Sequence, residues 1–558
     1  MNVPLRTRVA VFGALIWAAA IARAAAPGVD YVFPAGGQRG TTFTVHVGAK
    51  AEGKIDPWPA KAWTDSPGLE FTPADANGQF SVRIANDVPL GPHLLRIYNA
   101  DGTSVPRTFV VDRHAEITEQ EPNDDPHKPQ VMAALPAIVN GRLEKNGDVD
   151  SFAIVAEPGQ WIVAELTCRR FGAPIDPALH LLDPDGVEVA FNHDTFGLDP
   201  LIAYRATRAG RYVVVVAGFD YPPSTEVRFA GSKAAVYRLL LTTGPYARCA
   251  FPPGLHRGGK ERLQLLGWNL GAASQERSVL FDTSVAPPGA SHMLLGPPEI
   301  DNLLPVILGD DATAGASDDA AAVPLRLPAA INGRIAHAGD VSHHDFTAVK
   351  GQTLAFTLPS SMLDLPLDPV MTLEDSTGKQ LAGIDEEKAS KHPPFIWVPP
   401  ADGTYRLTVS DRNHAGGDAY VYRIEVKPVV ADFVATLDAH ELRLEPGKSA
   451  ELKVTLARQG GYAGPLAVVL SGLPDGVTAA TSGATTGTGP VTVTLAASPA
   501  APAASGSVRV LVVAADEAHP VIRAASFDLG PDCPMVRTID HLWLTVTLHP
   551  IPHAKSSS

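Results

Sequence analysis

Short runs of apolar residues, many in strict alternation and cut by glycine and proline, recur along nearly the whole chain. RYVVVVAG (Arg211 to Gly218), YRLLLTT (Tyr237 to Thr243) and TYRLTVS (Thr404 to Ser410) are rich in β-branched and aromatic residues. So are LKVTLA (Leu452 to Ala457), VTVTLA (Val491 to Ala496), VRVLVVA (Val508 to Ala514) and LWLTVTL (Leu542 to Leu548). Ile162, Ala164, Leu166 and Cys168 fall on one alternating face. Such segments, bounded by turn residues, predict the short strands of all-β sandwiches. DPDG (Asp183 to Gly186) and DSTG (Asp375 to Gly378) read as turns between strands. No sustained helical period appears beyond the first residues.

Repetition divides these strands into modules. YVFPAGGQRG (Tyr31 to Gly40) returns as CAFPPGLHRG (Cys249 to Gly258), and VNGRLEKNGDV (Val139 to Val149) as INGRIAHAGDV (Ile331 to Val341) at an offset of 192. Leu135-Pro136, Gly159-Gln160 and Asp176-Pro177 recur at that offset as Leu327-Pro328, Gly351-Gln352 and Asp368-Pro369. Gly210-Arg211-Tyr212 returns as Gly403-Thr404-Tyr405, and Tyr237-Arg238 as Tyr422-Arg423. A chain of 558 residues is too long for one core. The expected order is A–B–A′–B′–C, with A at 25–113, B at 114–245, A′ at 246–309, B′ at 310–428 and C at 429–558. Two copies, each with its own core, predict modules strung like beads rather than a solenoid. TSGATTGTGP (Thr481 to Pro490) and ASPAAPAASGS (Ala497 to Ser507) are expected to be flexible loops.

Residues 1–24 read as a secretory signal peptide: Arg6 and Arg8, an apolar stretch from Val9 to Ala22, then Ala22-Arg23-Ala24 as cleavage site. Export is therefore expected, to the periplasm, cell surface or medium, with no later span apolar enough to cross a bilayer. Removing three arginines takes the net charge from −15 to −18 (−15 − 3). That acidity disfavours nucleic acid, whose phosphates need basic partners. Three cysteines, Cys168, Cys249 and Cys533, make no disulfide scaffold, and the spacing chooses no pair among them.

Acid concentrates in two places, TEQEPNDDP (Thr118 to Pro126) and NGRLEKNGDVDSF (Asn140 to Phe152). Glu119, Glu121, Asn123, Asp124, Asp148 and Asp150 are hard oxygen donors in turn-rich segments, as Ca²⁺ requires. The same residues also suit a solvated acidic linker, and the spacing leaves both readings open. The string E-x-E-P-N-D, N-G-R, G-D-V-D-x-F resembles the bacterial pre-peptidase C-terminal domain, a family that includes collagen-binding domains of clostridial collagenases. The resemblance implies a β-sandwich that binds calcium through these six residues. At the offset of 192, Glu121, Asn123 and Asp124 fall on Thr313, Gly315 and Ala316, and Asp311 replaces Glu119. A shifted alignment brings in Ser317, Asp318 and Asp319 without an E-x-E pair. Val341 is followed by SHHDF, which reads as a loop two residues longer, and B′ is expected to bind calcium poorly. The entries of A and A′ resemble immunoglobulin-like modules of the transcription-factor type. From about Val429, LEPGKSAELKVTLAR resembles the immunoglobulin-like modules appended to secreted bacterial proteins.

Catalytic motifs fail on inspection. HELRL (His440 to Leu444) lacks the second histidine of H-E-x-x-H, and PGKSA (Pro446 to Ala450) lacks the first glycine of a phosphate loop. No G-x-S-x-G or C-x-x-C occurs. His343-His344-Asp345 reads as an exposed loop insertion, and His180, His193 and Asp194 as strand-edge and turn residues. A non-catalytic, exported, calcium-binding protein is expected, adhering to an extracellular or envelope protein or polysaccharide. An accessory subunit of a secreted protease or glycosidase is the alternative, and an unrecognised hydrolase the remaining one. Trp58, Trp63 and Trp397 are candidate contact aromatics or core residues.

Overall fold

The structure is a computed structural model that describes residues 26–49, 54–225, 228–271, 276–286, 290–311, 313–314, 324–385, 394–481, 483–514, 521–530 and 533–548. The expected signal peptide lies outside the described residues. Strands dominate, and the sheets pair into five sandwiches in chain order, each with its own apolar core. Alternation decides which face is buried: Gln79–Ile84 and Asp432–Leu437 bury every second side chain. Gly210–Asp220, with its run of four valines, is covered on both faces along most of its length, as an unbroken apolar strand should be.

The duplication is visible in topology. In the first B-type sandwich one sheet orders Glu116–Thr118, Ala137–Arg142, Val236–Thr242, Trp161–Thr167 and Leu201–Arg205. In the second the order is Thr313–Ala314, Ala329–Arg334, Val421–Pro428, Leu354–Thr357 and Phe395–Trp397. Each opens with a short strand running parallel to the next. The repeated N-G-R motif has a steric reason. A Cβ on Gly141 would meet the Tyr237 ring at 2.1 Å, and one on Gly333 the Tyr422 ring at 2.2 Å.

The joint between an A-type and a B-type sandwich is also duplicated. The Arg142 guanidinium lies over Tyr31 and Phe33, at 4.9 and 4.2 Å from the ring centroids. Arg334 lies over Phe251 at 5.4 Å. Arg238 is buried against Gly36, where a Cβ would come within 2.7 Å of its Nε, and Arg423 against Gly254 at 2.2 Å from its Cδ. Arginine stacks on aromatic faces and is the residue suited to buried interfaces. Glu116 and Asp112 neutralise Arg238, whereas Glu425 neutralises Arg423.

The modules are not beads on a string. The first sandwich packs on the last through Trp63, Leu94, Leu529, Cys533, Val536 and Ile539. Trp543 is 1% exposed and meets Tyr98 and Trp63 at ring-centroid distances of 5.0 and 5.8 Å. Arg96, fully buried, sits 5.7 Å from the Trp543 ring and 3.4 Å from His440 Nδ1. Burial lowers the Arg96 pKa to about 10. A cavity of about 930 Å³ is lined by residues of all five sandwiches. Two of its basic residues are ion-paired, Arg170 with Glu165 and Asp199, and Arg238 with Glu116 and Asp112. The three cysteines are buried and free, which rules out a bridge among them in this conformation. Of the expected flexible loops, Gly489-Pro490 and Ala504 to Ser507 are strand.

Candidate metal centre

Parallel pairing of Glu116–Thr118 with Ile138 to Asn140 draws the linker along the first sheet of the B sandwich. Gln130–Val131 then pairs with Phe152 and Ala153 in the second sheet. Residues between them cross the sandwich edge beside the turn ending at Asp148. This crossing brings Glu121, Asp124 and Asp148 together, one carboxylate oxygen of each within 4.8 Å of the others. Asp148 is fixed by accepting the Glu144 N–H, and its own N–H donates to Lys145 O at 3.1 Å. Asp150 opens the strand Asp150–Ala156 and faces inward, 0% exposed.

Tyr237 links the two acidic stretches. Its hydroxyl lies 2.6 Å from Asp150 Oδ2 and 3.1 Å from Glu119 Oε2. One proton serves two carboxylates there. Glu119 Oε1 also accepts the Arg142 N–H at 2.8 Å. Burial pushes Glu119 up to about 7, and burial with the adjacent Glu119 charge pushes Asp150 up to about 9. Burial, with Glu121 and Asp124 adding repulsion, raises Asp148 to about 6. Asn123 is 1% exposed; its backbone carbonyl accepts the Ser151 N–H at 3.0 Å. Its carboxamide oxygen and nitrogen have no partner, nor have Asp148 Oδ1 and Asp150 Oδ1.

All six residues expected from the sequence thus lie along one edge, as a triad (Glu121, Asp124, Asp148) next to a buried pair (Glu119, Asp150), with Asn123 beside them. Among the described residues none of the five carboxylates is ion-paired to lysine or arginine. Orphaned buried oxygens beside uncompensated carboxylates fit a hard divalent cation that takes 6–8 oxygens in irregular geometry. Sequence reasoning did not assign Tyr237 to the site, although Tyr237-Arg238 was visible as a repeated pair. Nor did it give Glu116 and Arg142 their roles in fixing the linker.

The second copy differs, and two sequence-based alignments need correction. Ser342 pairs with Val409 and Ala348 with Gly403, as Asp150 pairs with Val216 and Ala156 with Gly210. The strand therefore keeps its register without a longer loop. Ser342 replaces Asp150, and His344 replaces Phe152. Thr313 pairs with Ala330 as Glu116 pairs with Ile138, so it stands in the place of Glu116 rather than Glu121. Gly315, Ala316, Ser317, Asp318 and Asp319 lie outside the described residues. Asp340 is retained in its turn, 2.8 Å from the His337 N–H, and Asp311 pairs with Lys427 at 2.6 Å.

His343, His344 and Asp345 belong to the strand Val341–Ala348 and form no loop insertion. Asp345 pairs with Arg406, and His344 Nε2 lies 2.7 Å from the Tyr422 hydroxyl. Burial lowers His344 to about 4. A histidine whose folded pKa lies below its unfolded value binds fewer protons when folded, so stability is lost as pH falls from about 6.5 toward 4. His344→Phe, which restores the residue type found at 152, should flatten this acid limb by roughly 1–3 kcal/mol at pH 4. Chemical denaturation of the full chain at pH 7 and pH 4.5 checks it; an unchanged pH difference in the variant contradicts it.

Asp183 and Asp375 make turns, each accepting N–H groups two and four residues on. His180 pairs with Glu188 at 2.7 Å and His193 with Asp194 at 2.9 Å on accessible surface. His440 precedes the strand Glu441–Leu444 and lies between Arg96 and Phe527. No helix among the described residues is long and apolar enough to cross a membrane.

No protein-family model matches the chain, and no characterised protein sequence matches it. Among solved structures it aligns with domains 1–6 of the surface layer protein SbsC at 10% identity and a TM-score of 0.14. That alignment covers 94% of this chain and 54% of the other, so the chain spans about half the length of its structural match.

Proposed function

We propose that this is an exported, non-catalytic binding protein whose first B-type sandwich holds calcium. One observation carries the reading: Asn123, Asp148 and Asp150 are almost completely buried with unpartnered polar atoms beside Glu121 and Asp124. Leaving such atoms unmet costs about 1–3 kcal/mol each, and more for charged groups. Glu121, Asp124 and Asp148 would hold the ion, with Asp150, Glu119 and Asn123 completing its surroundings. The ion would supply positive charge that the protein lacks there, and so fix the linker to the sandwich edge. We assign the two B-type sandwiches to the pre-peptidase C-terminal family and the A-type ones to the immunoglobulin-like group. The match of Glu119 to Asp150 with the former's motif supports this, as does the sheet order shared by the two B-type sandwiches. The partners of His180, His344 and His440, which are Glu188, Tyr422 and Arg96, support the non-catalytic reading.

The partner sought is an envelope or extracellular polymer. Purified mature protein should sediment with an envelope fraction in calcium and remain largely soluble in chelator, and Glu121→Ala should behave in calcium as the parent does in chelator. Equal sedimentation under all three conditions, or none, would contradict the proposal.

A further inference from the structure

Of the three tryptophans that stood out as contact candidates, two are structural. Trp58 packs on Phe80 and donates to Ala74 O at 3.0 Å, and Trp397 packs on Tyr405 at 4.9 Å. Trp63 is different. It is half-buried at the wall of a cleft of about 400 Å³ between the first and last sandwiches. The volume falls within the roughly 300–1,000 Å³ typical of small-ligand sites.

The cleft combines one aromatic surface with many unused hydrogen-bonding groups. Trp63 is held edge-on by Trp543 and is 5.2 Å from the His541 ring, so its position is fixed by packing. Its indole N–H has no hydrogen-bond partner among the described residues. The hydroxyls of Ser507, Ser526 and Thr538 line the same cleft and are likewise without side-chain partners. Asp65 spends one carboxylate oxygen on His93, at 3.2 Å, and keeps the other. Arg509 and Asp540 form a loose, mostly exposed pair at 3.5 Å. His541, 8% exposed, has an unpartnered buried Nε2.

We infer that this cleft is a binding site for a neutral polysaccharide. A sugar ring offers an apolar face of C–H groups, whose partial positive charge suits the negative face of an indole. Its rim of hydroxyls both donates and accepts, which matches unpaired hydroxyls, a carboxylate oxygen and an indole N–H. Asp65 and Asp540 against Arg509 leave the cleft slightly negative, so a polyanion is disfavoured. The bound chain would touch residues from both ends of the sequence and so reinforce contact between the first and last sandwiches. The inference rests on the reading of the chain as an exported binding protein and adds a second site, separate from the calcium-dependent envelope contact, whose own binding does not need calcium.

Native gel electrophoresis of the full chain through soluble neutral polysaccharides (hydroxyethyl cellulose, xylan, pullulan, dextran) tests it, with intrinsic tryptophan fluorescence against matching oligosaccharides. Retardation by at least one polymer is expected, weakened about tenfold or more by Trp63→Ala and several-fold by Arg509→Ala. Arg509 is exposed and its variant should melt as the parent does, which separates binding from folding. Absence of retardation by every neutral polymer would overturn the inference. So would retardation unaltered by both substitutions, or fluorescence quenching by choline but not by sugars. Retardation that persists in chelator, with envelope sedimentation independent of calcium, would keep the cleft and remove the calcium reading. Calcium-dependent sedimentation without retardation would do the reverse.

Discussion

Replacing Trp543 by alanine is expected to loosen the first sandwich from the last and to cost the full chain about 3–5 kcal/mol. Trp543 is among the largest fully buried side chains, and three groups of the first sandwich depend on it: Trp63, Tyr98 and Arg96. Removing the indole leaves a void, and Arg96 then holds a buried charge with less around it, since its Nε and Nη2 already lack partners. Small-angle scattering should show a larger radius of gyration for the variant, and calorimetry a lower transition temperature. Trp58→Ala is the control, because Trp58 belongs to the first sandwich's own core. It should destabilise without expanding the molecule. A Trp543→Ala protein with parental dimensions and melting would show that this contact does not hold the ends together.

Calcium should stabilise the first B-type sandwich and leave the second nearly unaffected. An ion that binds only the folded state contributes RT ln(1 + [L]/Kd), about 2.7 kcal/mol at a hundredfold excess. Hydrogen exchange on the full chain localises the effect. Peptides covering 116–124 and 137–156 should be protected in calcium relative to chelator, and peptides covering 329–348 should not. Glu121→Ala should erase most of the protection. The asymmetry follows from the replaced residues: Ser342 supplies no carboxylate where Asp150 does, and the Tyr422 hydroxyl lies 2.7 Å from His344 Nε2. Equal protection of both segments would contradict this reading.

The strands and their duplication were legible because alternation and repeat are local or periodic. The two acidic stretches were legible for the same reason, and folding brings carboxylate oxygens of Glu121, Asp124 and Asp148 from them within 4.8 Å of one another. The register of the second copy was not. Reading SHHDF as a loop two residues longer misplaces the strand, in which Phe346 occupies the place of Ile154 and His344 that of Phe152. A half-buried histidine with a tyrosine partner fills an apolar position, and letter matching does not anticipate that substitution. Tyr237 was visible only as half of a repeated pair. Its role needs Gly141 opposite it and two acids from separate segments. The contact between first and last sandwiches left no pattern at all. Arg96 and His440 stand 344 residues apart, and Thr108 and Cys533 stand 425 apart, and each is unremarkable in its own stretch.

Native mass spectrometry of the full chain, titrated with calcium, tests the central claim most directly. One ion per chain is predicted at saturation, lost in Glu121→Ala and retained in His344→Phe. No bound ion, or one that persists undiminished in Glu121→Ala, would contradict the account.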